Sequence, residues 1–186
     1  METLRLFAAI PIVPDDNFAM IYNGLRQTLD YNIIKWVDLD NIHITLRFFG
    51  ETQPMEVPII KTALQKATEG IKPFELKLEN TGIFGSKYDP RVIWFGIAEN
   101  KALLTLHDNI RVALEEVEYF ADRQNFVPHL TIARIKEIRD KQFFQQIMER
   151  FRNVKLLCQT VNDYSLFESE LKKEGPRYTC LETFKF

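Results

Sequence analysis

The chain has little glycine, little cysteine and no excess of charge of either sign. Seven glycines occur in 186 residues, and none falls in a Gly-x-x-x-x-Gly-Lys pattern. That argues against a glycine-rich loop of the kind that cradles nucleotide phosphates. There are two cysteines, Cys158 and Cys180, too few for a disulfide scaffold. One bridge is arithmetically possible, but two buried thiols in a cytoplasmic protein is the expectation. Neither Cys has a His or a second Cys at metal-ligand spacing, which argues against zinc. No stretch approaches the roughly 18 apolar residues of a membrane helix. The first 14 residues, broken by Pro11 and Pro14, lack the basic start and long apolar run of a secretory signal. Lys and Arg total 24 against 26 Asp and Glu, a formal net charge of −2. Bulk positive charge that would coat a nucleic acid is therefore absent, while a local cationic pocket for one phosphate is not excluded. No segment is rich enough in Pro, Gly or Ser to read as a linker.

Hydrophobic residues make up 46% and charged residues 27%, with 15 Phe, so the chain can bury a core. Its length suits one domain, or two small lobes sharing one core. Strand and helix signals alternate. Leu4–Ile10, Ile33–Val37, Ile42–Phe49, Phe74–Leu78, Val92–Ile97 and Phe126–Ile135 read as strands, and Gly50 closes the third. Val154–Cys158, Tyr164–Leu171 and Tyr178–Phe186 complete the set, with a turn at Glu174-Gly175-Pro176. Gly82, Gly85 and Asp89-Pro90 mark a loop. Four helices are expected: after Pro14, after Pro54, through Leu103–Val117, and through Phe143, Ile147 and Phe151.

A shift of 86 residues lays the first helix on the third, strand 42–49 on strand 128–135, and the second helix on the fourth. This internal duplication is too long for a solenoid and suggests two similar lobes about a pseudo-twofold axis. The same interval separates two histidines. His43 lies in His-Ile-Thr-Leu-Arg and His129 in His-Leu-Thr-Ile-Ala-Arg. With 12 Thr in the chain, a Thr two places after both would arise by chance in roughly one such chain in 200. One His-x-Thr alone would carry no weight, because both residue types occur in ordinary strands. On a strand, residues i and i+2 share a face. His43 with Thr45, and His129 with Thr131, then converge in one cleft if the lobes face each other. Two imidazoles supply a general base and a general acid near neutral pH. Two hydroxyls can donate to phosphate oxygens. That set can open a phosphodiester by in-line attack without a metal. His107, inside a helix with no matching Thr, reads as packing or surface.

The His-x-Thr pairs bring no carboxylate at the neighbouring in-face position, and Thr is a poor divalent ligand, so no metal or other cofactor is expected. Arg134 lies five residues after His129. It can grip the phosphate only if a bulge or bend precedes it, because period-two counting puts it on the opposite face. Arg47, four after His43, falls on the histidine face by the same count. Phe49, Phe84 and Tyr88 are candidates to stack a base, with core packing as the default role of each.

These residues resemble the RNA 2′,3′-cyclic phosphodiesterase branch, formerly called 2′-5′ RNA ligases, of the two-histidine phosphoesterase superfamily. The resemblance covers Arg5–Ala9, His43–Glu51, Pro90–Trp94, Phe126–Arg134, Ser169–Leu171, Gly175 and Tyr178. Phe49 stands where Leu is commoner in that family.

The resemblance implies an α+β bilobal fold over residues 1–186, a single domain in which two antiparallel sheets face a central cleft with helices outside. It implies catalytic roles for His43 and His129, and phosphate binding by Thr45, Thr131 and Arg134. The implied reaction opens a 2′,3′-cyclic phosphate at an RNA end to a 2′-phosphate, with one histidine as base and the other as acid; His129 is assigned here as base and His43 as acid, an order that the near-symmetric motifs leave open. Substrates range from a tRNA fragment to a small cyclic nucleotide. The expected protein is a cytoplasmic monomer with no membrane partner. Two other readings stay open: 2′-5′ ligation of RNA ends by the same site, and a binding module without turnover.

Overall fold

Asp15, Asn100 and Asp140 set where three helices begin. Each side chain accepts a hydrogen bond from the backbone N–H three residues on, at Phe18, Leu103 and Phe143. Those bonds satisfy donors that a helix start leaves unpaired. The computed structural model describes residues 3–120, 126–173 and 175–186. The helices are α1 (Asp16–Thr28), α2 (Val57–Lys66), α3 (Lys101–Glu115) and α4 (Lys141–Arg150). The strands are β1 (Leu4–Pro11), β2 (Ile33–Trp36), β3 (His43–Thr52), β4 (Phe74–Ser86), β5 (Asp89–Ile97), β6 (His129–Glu137), β7 (Lys155–Val161), β8 (Asp163–Leu171) and β9 (Pro176–Lys185). They form two antiparallel sheets, ordered β3-β1-β8-β9 and β2-β6-β5-β4-β7.

The duplication runs deeper than helix–strand–helix. Shifted by 86 residues, β1, β3 and β4 fall on β5, β6 and β8 to within a few residues. The order β3-β1-β8 in one sheet repeats as β6-β5-β4 in the other. The first half therefore lends β4 to the second half's sheet, and the second half lends β8 in return. Helices and sheets share one continuous buried cluster, including Phe18, Tyr22, Ile44, Phe95, Ile132 and Tyr164.

Several expectations are corrected. The loop read at Gly82, Gly85 and Asp89-Pro90 shrinks to a turn at Lys87 and Tyr88: Gly82 lies in the interior of the long strand β4, Gly85 near its end, and Asp89 and Pro90 begin β5. Gly82 lies under the Trp94 ring, where an added Cβ would come within 2.2 Å of the indole. Glycine here permits a close approach and does not break the strand. Gly50 does not close β3. It takes φ +73° beside a register shift, and the strand continues to Thr52. Cys158 and Cys180 are free and exposed, not buried, because each sits on an outermost strand, β7 or β9. At the β8–β9 turn, Lys172 and Gly175 exchange backbone hydrogen bonds, while Glu174 lies outside the described residues. Among the described residues no helix is long and apolar enough to cross a membrane.

Candidate active site

Ile44 and Leu46 on β3, and Leu130 and Ile132 on β6, are buried in the core. The intervening His43, Thr45, His129 and Thr131 therefore turn to the other face, as a period of two requires. All four line one cleft of about 920 Å³ between the two sheets.

The same hydrogen bond holds both imidazoles. His43 Nδ1 is 2.8 Å from the carbonyl oxygen of Asn41, and His129 Nδ1 is 2.7 Å from that of Val127. A carbonyl only accepts, so each Nδ1 carries its proton. Nε2 is left to hold a lone pair when the ring is neutral, or a second proton when it is charged. The environments of the two rings differ. His43 sits between Phe7, at 4.8 Å between ring centroids, and Tyr178, edge-on at 5.3 Å. Burial there lowers its pKa, partly opposed by the Asn41 hydrogen bond. His129 meets the edge of Phe84 at 4.6 Å, and its hydrogen bond to Val127 is exposed.

The bulge that Arg134 requires is present. Ile93 pairs with Ala133 and Trp94 with Thr131, so Ile132 is an extra residue in β6. Ile132 and Ala133 are consecutively buried, the pleat slips by one, and Arg134 joins Thr131 in the cleft. An equivalent bulge alters the first lobe. Ala8 pairs with Arg47 and Ala9 with Thr45, which makes Leu46 the extra residue. Arg47 thus leaves the histidine face on which period-two counting had put it. Its guanidinium donates to the carbonyl of Phe120 at 3.0 Å and lies 6.0 Å from the Phe49 ring. Phe48 takes the place facing the cleft.

Charge is concentrated at this site. Among the described residues, Arg5, Arg26, Lys35, Arg134, Lys172 and Arg177 line the cleft, against one carboxylate, that of Asp38. A chain with net charge −2 thus presents a cationic pocket suited to a phosphate. Burial raises the pKa of Tyr178, an effect opposed by the charges of Arg134 and Arg5. Among the described residues no three His, Cys, Asp or Glu side chains group as a metal-ligand set.

Of the stacking candidates, Phe84 reaches His129. Phe49 is partly buried against the core, with Tyr119 at 5.6 Å, and Tyr88 is 65% exposed near the β4–β5 turn. His107 lies flat on Phe126, 3.9 Å between centroids, away from the cleft. Sequence reasoning missed Phe7, Arg5, Phe48 and the part played by Tyr178. The strand pairing that joins β1 to β3 brings in the first three, and no local spacing signals it.

The family described as LigT-like phosphoesterase matches the chain twice, over residues 10–94 and 96–178. The two matches begin 86 residues apart. An RNA 2′,3′-cyclic phosphodiesterase of Aquifex aeolicus is 33% identical over 188 residues, covering 99% of this chain and 98% of that protein. The crystal structure of TT0787 of Thermus thermophilus has a TM-score of 0.80 at 29% identity, covering 98% of this chain and 97% of that one. Escherichia coli LigT, crystallised with 3′-AMP, shares the fold with a TM-score of 0.78 at 21% identity, over 100% of this chain and 99% of its own.

Proposed function

The chain belongs to the LigT-like phosphoesterase family, and from that premise we propose that it hydrolyses RNA 2′,3′-cyclic phosphate ends to 2′-phosphates. The observation that carries the reading is the pair of imidazoles in one cleft, each fixed through Nδ1 with Nε2 available. Proteins named RNA 2′,3′-cyclic phosphodiesterase and 27–33% identical to it support the substrate.

In the proposed reaction, water attacks phosphorus opposite the ribose 3′ oxygen. His129 takes the water's proton, the P–O3′ bond breaks, and His43 gives its proton to the departing oxygen. The more open His129 suits the residue that meets water. Burial makes His43 a stronger acid, and the anionic phosphodiester supplies the charge that keeps it protonated in the complex. Thr45 and Thr131 donate to the non-bridging oxygens, and Arg134 adds a charge-assisted bond. No step draws on a metal.

Both histidines come from one chain, which supports a monomer as the active unit. The exchange of β4 and β8 supports one bilobal domain over residues 1–186. An RNA end as substrate suits the cytoplasm. The test is product analysis on an oligonucleotide ending in a 2′,3′-cyclic phosphate. A 2′-phosphate product is expected. A 3′-phosphate, a joined 2′-5′ strand as the main product, or no turnover across pH 5–9 would refute the proposal.

A further inference from the structure

The two imidazoles are held by carbonyls 86 residues apart, those of Asn41 and Val127. What steadies the two carbonyls differs. The Asn41 side chain donates from Nδ2 to the carbonyl of Pro176, at 3.2 Å. Val127, at the matching place in the other lobe, is 55% exposed and has no side-chain donor.

The Asn41 bond joins distant parts of the fold. Asn41 ends the short 3-10 turn Leu39–Asn41 just before β3, and Pro176 opens β9. β3 and β9 are the two outer strands of their sheet, and 135 residues separate the partners. Each partner belongs to a unit with its own hydrogen bonds. The Asn41 N–H donates to the carbonyl of Asp38 at 2.9 Å, and Lys172 and Gly175 exchange bonds at the β8–β9 turn. The side-chain amide ties these two units together around His43. That ring bonds to the Asn41 carbonyl and meets the edge of Tyr178, two residues after Pro176.

The reaction explains why one lobe needs this tie more than the other. An acid must aim its Nε2 proton at the departing 3′ oxygen, which is fixed in the bound substrate. Attacking water is free to follow the base. We propose that Asn41 is a positioning residue for the acid, tying the β9 hairpin to the carbonyl that orients His43. This rests on the hydrolase reading and on His43 as the acid. Asn41 also lines the cleft, but its amide is committed to Pro176 and not to substrate.

The test is steady-state kinetics on cyclic substrates with oxygen or sulfur at the bridging 3′ position. Asn41→Leu keeps the branching of the side chain and removes the donor. It should lower kcat about tenfold on the oxygen substrate, with KM within about twofold, as a misaimed catalytic group does. Sulfur leaves with little protonation, so on the 3′-thio substrate the loss should shrink to within about threefold. Asn41→Ser, too short to reach Pro176, should show the same pattern, and it serves if the leucine variant fails to fold. Thr131→Val, which removes a phosphate donor, should lose equally on both substrates. A loss at Asn41 that is equal on both substrates, a loss confined to KM, or no loss would overturn the positioning role. His43→Ala without rescue by sulfur would overturn the acid assignment and the positioning role with it. Wild-type protein inert to both substrates would overturn the hydrolase reading itself.

Discussion

Leu46 and Ile132 are the extra residues of two matching β-bulges, each three places after a catalytic candidate, His43 or His129. One bulge brings Arg134 into the cleft and the other turns Arg47 out of it. The two arginines therefore differ in function despite similar sequence contexts. Arg134→Ala should lower kcat/KM for a cyclic-phosphate substrate about 10- to 100-fold, the range for a lost charge-assisted hydrogen bond. Arg47→Gln should leave KM within about twofold, because its guanidinium is engaged at Phe120 and Phe49. Steady-state kinetics on both variants checks this. Equal effects would contradict the bulge assignment.

Thr45 and Thr131 should each contribute one hydroxyl donor to the phosphate. Valine keeps the shape and removes the donor, so either Thr→Val change should reduce kcat/KM about tenfold. The double variant should show roughly the product of the two losses. Unchanged circular dichroism and thermal midpoint would place the loss in the site and not in folding.

Burial lowers the pKa of His43 and of His107, the latter with opposing help from Asp108. In the folded state both rings hold their protons more weakly than in the unfolded chain, where the value is about 6.5. The unfolded state therefore binds more protons below that pH. This stability is fully present above about pH 6.5 and is lost as pH falls through the lowered folded values. A thermal midpoint that drops between pH 7 and 5, less steeply in His107→Gln, is expected. A midpoint flat over that range would contradict the burial of these rings.

Much of this was legible in the chain. The 86-residue repeat and the alternation of His43, Ile44, Thr45 and Leu46 depend only on local spacing, and they were enough to predict two lobes and one cleft. What was missed depends on pairing between distant strands. β4 runs through Gly82 because Trp94 on β5 covers it. Phe7 and Tyr178 flank His43 because β1 pairs with both β3 and β8, and β8 with β9. The Leu46 bulge, which reverses Arg47, leaves no compositional mark. The matching bulge at Ile132 was anticipated only as a requirement of Arg134.

The acid and the base can be told apart by the departing atom. Sulfur in place of the 3′ oxygen leaves as a thiolate and needs little protonation. His43→Ala should regain most of its activity on a 3′-thio cyclic substrate, and His129→Ala should not. Rescue of His129→Ala alone would reverse the two roles.

The central claim is that His43 and His129 are both required in one reaction without a metal. It is tested most directly by single His43→Ala and His129→Ala variants on an RNA ending in a 2′,3′-cyclic phosphate, with EDTA present. The account predicts that EDTA leaves the wild type unaffected. It also predicts that each variant loses at least about 10²- to 10⁴-fold in kcat, the range for a general acid or base. Full activity in either variant, or loss of wild-type activity in EDTA, would contradict it.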